Sequence, residues 1–124
     1  MNKVVFIEGT RTPFLRSGTD YMDLMSYQLG QFAIKGLLDR TGIDVDMIDR
    51  VIYGNVISNV KTENVAREAA VTAGVPVKAP CNTVKQACIS ANQAIANAVD
   101  SIQLGHSEVI IAGGTDCTSD TPIG

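Results

Sequence analysis

Four short apolar runs recur along the chain, each closed by glycine or polar residues, with longer helix-period segments between them. The first, Val4-Val5-Phe6-Ile7 ahead of Gly9, has the unbroken hydrophobicity of a strand buried on both faces of a parallel sheet. The second spans Arg50 to Ile57, the third is short, around Asn82 to Gln86, and the fourth runs from Glu108 to Ala112 into Gly113-Gly114. Residues 9–23 form a polar loop broken by Pro13 and Gly18, and Thr121-Pro122-Ile123-Gly124 is loop-like as well.

Three helices are predicted between these runs. Met22 to Arg40 places Met25, Leu29, Phe32 and Leu37 at three- to five-residue steps, with Thr41-Gly42 as the stop. After an acidic connection from Asp44 to Asp49, Asn64 to Ala73 forms the second, with Asn64 as its cap, Gly74 as its stop and Pro76 just beyond. Cys88 to Leu104 forms the third, ended by Gly105; alanine-rich and apolar around much of its circumference, it reads as a buried helix. The order is βαβαβαβ, an α/β arrangement with a mostly parallel sheet and right-handed crossovers.

Composition narrows this picture. The chain has 124 residues, enough for one domain, and its 45% hydrophobic and 19% charged residues are a globular balance. Tryptophan is absent, so the core must come from Val, Ile, Leu and abundant Ala. A net charge of −3 without a basic run argues against nucleic acid or an anionic membrane surface as main partner. The opening MNKVVFIEGT reads as a strand rather than a signal peptide, and no apolar stretch is long enough to span a membrane. Three cysteines without CxxC spacing fit neither a disulfide framework nor a metal site, and point to a reducing, cytoplasmic setting.

In a parallel α/β sheet, ligands bind beyond the carboxyl ends of the strands, and Cys88 falls there, at the turn from the third strand into the third helix. Unpaired N–H groups and the positive end of the helix dipole stabilise a thiolate at such a position, which raises its nucleophilicity. Lys85 adds a cation three residues earlier. The other reading of Cys88 is a small hydrophobe in the core. Cys81 lies at the opposite edge and reads as structural; Cys117 returns to the same edge as Cys88, with a structural or loop role. His106, the single histidine, follows a helix of about 17 residues and so lies roughly 25 Å from Cys88. The chain thus supplies a nucleophile without a base. Gly113-Gly114 lack a GxGxxG or P-loop context and read as a site of close backbone approach. Arg67 reads as an exposed or ion-paired structural residue, Asp116 and Asp120 as supports of the terminal loop, and Arg11 and Arg16 as loop cations able to meet an anionic cofactor.

Five segments stand in an order and spacing that belong together: Arg11-Thr12-Pro13-Phe14, Gly54-Asn55-Val56, Asn64-Val65-Ala66-Arg67, Ala87-Cys88-Ile89-Ser90-Ala91-Asn92 and Ala112-Gly113-Gly114. In these motifs the chain resembles the amino-terminal half of the thiolases over essentially its whole length. The runs FLRSGTDYMDLM and CIS-ANQA look most like the beta-subunit subgroup of the fatty-acid oxidation trifunctional complex and the bacterial 3-ketoacyl-CoA thiolases. The resemblance implies a thiolase fold, here its N-terminal βαβαβαβ half with a mostly parallel mixed sheet. It implies one incomplete domain over residues 1–124, truncated before an antiparallel fifth strand, so that the fourth strand is an unpaired edge.

By the same resemblance the expected function is acyl-CoA acyltransfer: thiolytic cleavage of 3-ketoacyl-CoA in fatty-acid beta-oxidation, through an acyl-cysteine on Cys88. The Cys88 backbone N–H would be an oxyanion donor. Coenzyme A is implied as a substrate, with no tightly bound cofactor and no metal; residues that hold it are not identified. After the nucleophile the common family pattern is a small residue, Ser and Gly, whereas Ile89-Ser90-Ala91-Asn92 fits the trifunctional-type subgroup. The family's histidine base and second cysteine fall in sequence after residue 124, so the isolated chain is expected to be inactive. A homodimer through residues 82–86 and a complex with a hydratase/dehydrogenase subunit are the implied partners. Two other readings are a short non-catalytic paralogue that binds acyl-CoA or thiolase subunits, and a 3-ketoacyl synthase-type condensing enzyme. The Arg11 to Phe14 and Asn64 to Arg67 motifs favour thiolase over synthase.

Overall fold

The second of the predicted strands becomes the centre of the sheet. In the computed structural model, which describes residues 1–120, β1 (Arg50–Gly54) pairs in parallel with β2 (Cys81–Val84) on one side and β3 (Ile110–Gly114) on the other. Residues 121–124, read as loop from sequence, lie outside the described residues. The helices are α1 (Ser26–Thr41), α2 (Val65–Ala73) and α3 (Ser90–Gln103). The step from β1 to β2 and the return from β2 over β1 to β3 run in opposite directions. Two crossovers of the same hand must then put α2 and α3 on opposite faces, and they do.

The side-chain alternation of β1 sorts the core. Val51 and Tyr53 join Ile34, Leu38, Ala66, Ala69, Ala70 and Ile111 on the α1/α2 face, while Ile52 meets Ala94 and Ala98 of α3 on the other. Ile34, Ile52, Val51 and Val65 are fully buried, each contributing about 1.5–3 kcal/mol of hydrophobic stabilisation. The expected alanine-rich packing is present: alanine Cβ atoms keep the helix axes close to the sheet. At the opposite end from Cys88, Asp49 joins β1 to β3, its Oδ2 accepting the N–H groups of Glu108 at 2.7 Å and Val109 at 3.0 Å.

Three expectations need correction. Val4 to Ile7 is not a strand: it runs as an extended arm with Phe6 79% and Ile7 80% exposed. A strand forms only where its N–H and C=O groups find a partner, and the arm pairs with none of the three strands. The arm is tied down elsewhere, by Asn2 N–H to the Gln103 carbonyl, Thr10 Oγ1 to the Ala33 carbonyl and Arg40 Nη1 to the Gly9 carbonyl. Between the arm (Glu8 to Leu15) and β3 lies a groove of about 380 Å³, so β3 is an edge strand among the described residues, as expected for the fourth predicted strand.

The first helix begins at Ser26, not Met22, because the Gln28 side chain accepts the Met25 N–H at 2.8 Å and sets the first turn there. Its buried stripe is Ser26, Leu29, Gly30, Ile34 and Leu38, which leaves Phe32 49% exposed. Gly30 rather than Phe32 faces the sheet because a Cβ at Gly30 would already lie 3.1 Å from the Tyr53 ring and 3.2 Å from Ala69 Cβ. The third helix buries a single stripe, Ser90, Ala94, Ala98 and Ser101, rather than most of its circumference. The second helix follows its sequence: Asn64 Oδ1 accepts the Arg67 N–H and Gly74 ends it at φ 108°.

Candidate functional site

The carboxyl ends of the three strands, Gly54, Val84 and Gly114, form one edge, and the chain leaves β2 there through the turn Lys85 to Ile89. Cys88 sits in this turn, two residues ahead of Ser90, the first residue of α3, and its side chain is exposed. The reading of Cys88 as a core hydrophobe is therefore set aside. Cys81 lies at the other end of β2, half-buried, with its Sγ donating to the Ala79 carbonyl. Cys117 follows β3 on the same edge as Cys88 but is buried, its Sγ bonded to the Leu24 carbonyl at 3.5 Å.

The turn is tight for identifiable reasons. Ala87 adopts φ 49°, the left-handed region that disfavours any residue with a Cβ by roughly 1–2 kcal/mol. Ser90, buried, holds it there: its Oγ accepts the Gln86 N–H at 2.8 Å and donates to the Ala87 carbonyl at 2.6 Å. The N–H groups of Ile89 and Ser90 close back onto the Gln86 and Ala87 carbonyls.

Glycine sets how closely the turn meets the sheet. A Cβ on Gly54 would fall 2.4 Å from the Ser90 carbonyl carbon, and one on Gly114 would fall 2.9 Å from Ala91 Cβ. The amino-terminal turn of α3 thus rests on the backbone of β1 and β3. This is the close approach read from Gly113-Gly114, carried by Gly114; Gly113 instead makes room for the Tyr53 ring at 3.1 Å. Burial of that ring pushes the Tyr53 phenol well above its usual range.

Polar groups bind the strand ends together. Lys85 Nζ donates to the Asn55 carbonyl at 3.1 Å and to Asn55 Oδ1 at 3.0 Å. Asn55, 3% exposed, donates through Nδ2 to the Thr115 carbonyl at 2.8 Å and to Asp116 Oδ1 at 3.0 Å. Asp116 also accepts the N–H groups of Val56 and Ile57. Asp116 therefore ties the loop after β3 to the exit of β1, and Asp120 ties the same loop down by accepting from Asn59 Nδ2.

The remaining candidates separate from Cys88. His106 lies beyond α3, a helix of 14 residues and so about 20 Å long, with its N–H on the Ser101 carbonyl. Arg67 makes no ion pair with Glu68; its Nη1 donates to the Val77 and Ala79 carbonyls and fixes the approach to β2. The Arg11 guanidinium lies over the Phe14 ring at 5.2 Å, beside the groove along β3, and Arg16 supports a local turn through its carbonyl. Cys88 does not line that groove. Among the described residues no group of three His, Cys, Asp or Glu could hold a metal ion, and no helix is long and apolar enough to cross a membrane.

Ser90, Asn55 and Asp116 are the site residues that sequence reasoning missed. Ser90 carried a signal, a serine opening a helix two residues after the candidate nucleophile. Asn55 stood in the Gly54-Asn55-Val56 motif without a role.

Residues 4–124 match the family model described as thiolase, N-terminal domain. The chain is 52% identical over 123 residues to the mitochondrial trifunctional enzyme subunit beta of Mus musculus, covering 99% of this chain and 26% of that protein. It is 39% identical over 123 residues to a 3-ketoacyl-CoA thiolase of Pectobacterium carotovorum, covering 99% and 28%. The crystal structure of the Bacillus anthracis acetyl-CoA acetyltransferase superposes with a TM-score of 0.83 at 33% identity, over 94% of this chain and 28% of that one. The chain spans about a quarter of the length of the curated relatives it matches.

Proposed function

The chain belongs to the thiolase family, and on that premise we propose that it carries the nucleophile of an acyl-CoA acyltransferase acting on 3-ketoacyl-CoA in fatty-acid beta-oxidation. The observation that carries this reading is Cys88 itself: an exposed thiol on a braced turn, beyond the carboxyl ends of the strands and ahead of a helix amino terminus. In the proposed reaction the Cys88 thiolate adds to the 3-keto carbon and forms a carbon–sulfur bond. The bond between carbons 2 and 3 then breaks, and the two-carbon fragment takes up a proton and leaves as acetyl-CoA. The thiol of a second CoA attacks the acyl-cysteine, releasing the shortened acyl-CoA and regenerating Cys88. The Cys88 N–H is a candidate donor to the oxyanion of each tetrahedral intermediate.

Coenzyme A is then a substrate rather than a resident cofactor. The outer side of β2, which pairs only with β1 among the described residues, supports a homodimer through residues 82–86. The subunit status of the trifunctional relatives supports a complex with a hydratase/dehydrogenase partner. Three unpaired cysteines fit a cytoplasmic location.

The test is to incubate the natively expressed protein with acetoacetyl-CoA and quench it before CoA is added. An acetyl adduct of the Cys88 peptide by mass spectrometry, with acetyl-CoA released and neither seen in Cys88→Ser, is the expected result. Acyl transfer that persists in Cys88→Ser would overturn the assignment. The purified 124-residue chain alone is expected to show no thiolysis, since its single histidine stands at the far end of α3.

A further inference from the structure

The pairing of β1 with β2 stops at the Asn55 N–H, which bonds the Val84 carbonyl at 3.1 Å. Beyond it the next residue, Lys85, reaches back with its side chain and takes both oxygens of Asn55. An exposed lysine ordinarily leaves its ammonium in water, and ordering so flexible a chain costs conformational entropy. Here two charge-assisted hydrogen bonds offset that cost. The orientation of the Asn55 amide is set from the far side. Its Nδ2 meets two acceptors, the Thr115 carbonyl and Asp116 Oδ1, so a flipped amide would put oxygen against oxygen at both. Asp116 is fixed in turn by the Val56 and Ile57 N–H groups.

We propose that Lys85, acting through Asn55 and Asp116, is a positioning residue for the reaction at Cys88. The proposal rests on the reading of Cys88 as the nucleophile. Only Gln86 and Ala87 separate Lys85 from Cys88, and Ala87 is held in a left-handed conformation that the chain would leave if released. Ser90 holds the turn from its helical side; Lys85 holds it from its strand side. Loss of the Lys85 tether frees the strand side, so Ala87 relaxes and Cys88 moves off its position ahead of α3. Lys85 is exposed and is not among the residues that form the core on either face of the sheet.

The test is site-resolved alkylation of the natively expressed protein by iodoacetamide, followed by peptide mass spectrometry from about pH 6 to about pH 9, the range over which a cysteine ionises. Buried Cys117 is the internal report on folding, since it labels only when the structure opens. Lys85→Met is expected to lower the rate at Cys88 at neutral pH about tenfold, with Cys117 still protected. Lys85→Arg, which can reach the same two oxygens, is expected to keep the rate within about twofold of the parent. A Cys88 rate in Lys85→Met within about twofold of the parent, or no recovery in Lys85→Arg, would sink the proposal. Should Cys117 become reactive in Lys85→Met, Asp116→Ala, which removes one of the two acceptors that orient the Asn55 amide, is judged by the same rate criterion. Alkylation needs no acyl-CoA. A Lys85-dependent Cys88 rate without acyl transfer would leave the positioning role standing and remove only the assigned reaction.

Discussion

Asp49 shows how much one exposed carboxylate can organise. Hydrogen bonds from the Val109 and Glu108 N–H groups hold its pKa below the usual aspartate range, and Lys78 adds a smaller pull in the same direction. A depressed folded-state value contributes stability that is fully present above the unfolded pKa of about 4 and is lost as pH falls through the folded value. Asp49→Asn is therefore expected to destabilise the protein at neutral pH and to converge with the parent under strongly acidic conditions. Urea midpoints of both proteins across that range would check it; parallel curves at all pH values would contradict the linkage. The same scale shows what could be read in advance. The place of Cys88 was legible because it follows from local sequence, at a strand-to-helix turn. The bracing by Asn55 and Asp116 was not, because those residues lie 61 positions apart and meet only after the sheet has formed.

At the scale of the elements, the tightest constraint is the fit of α1 against β1. Gly30 of α1 faces the Tyr53 ring and Ala69 of α2, with Thr115 Cγ2 also 3.1 Å from where its Cβ would stand. Gly30→Ala inserts a methyl group into that gap and is expected to cost about 1–3 kcal/mol by overpacking, despite alanine's better helix propensity. A lowered denaturant midpoint with an unchanged slope is the expected reading, and a raised midpoint would show that α1 can shift at little cost. Helix ends were legible where a single residue decides them, as at Gly42, Asn64 and Gly74. The buried face of α1 was not, because hydrophobicity points to Phe32 while the space beside Tyr53 admits only glycine. Size decided the face.

For the whole molecule, three parallel strands carry the core and the amino-terminal arm stands outside it. The order of alternating strands and helices made the α/β class legible, because that alternation needs only local periodicity. The fate of Val4 to Ile7 was not legible, because an apolar run records a tendency to be buried and says nothing of which strand edge is free. Protection from hydrogen exchange should follow this division. Amides of Val51, Ile52 and Tyr53, paired on both sides, should exchange slowest, and those from Val4 to Ile7 should exchange at nearly the rate of an unstructured peptide. Strong protection in the arm would mean that it is paired in solution.

The contact between Gly54 and the start of α3 has a consequence in time. The backbone of Ser90 can settle only onto strands that already lie side by side, since it rests on Gly54 of β1 while Ala91 rests on Gly114 of β3. β3 follows α3 in the chain, so this surface is finished only after the segment through Gly114 has been made. The turn that carries Cys88 therefore takes its shape only after both strands beneath it are in place. A polypeptide not yet extended past Gly114 would carry Cys88 on an unbraced turn, and any reactivity that the brace confers would wait for β3 to dock.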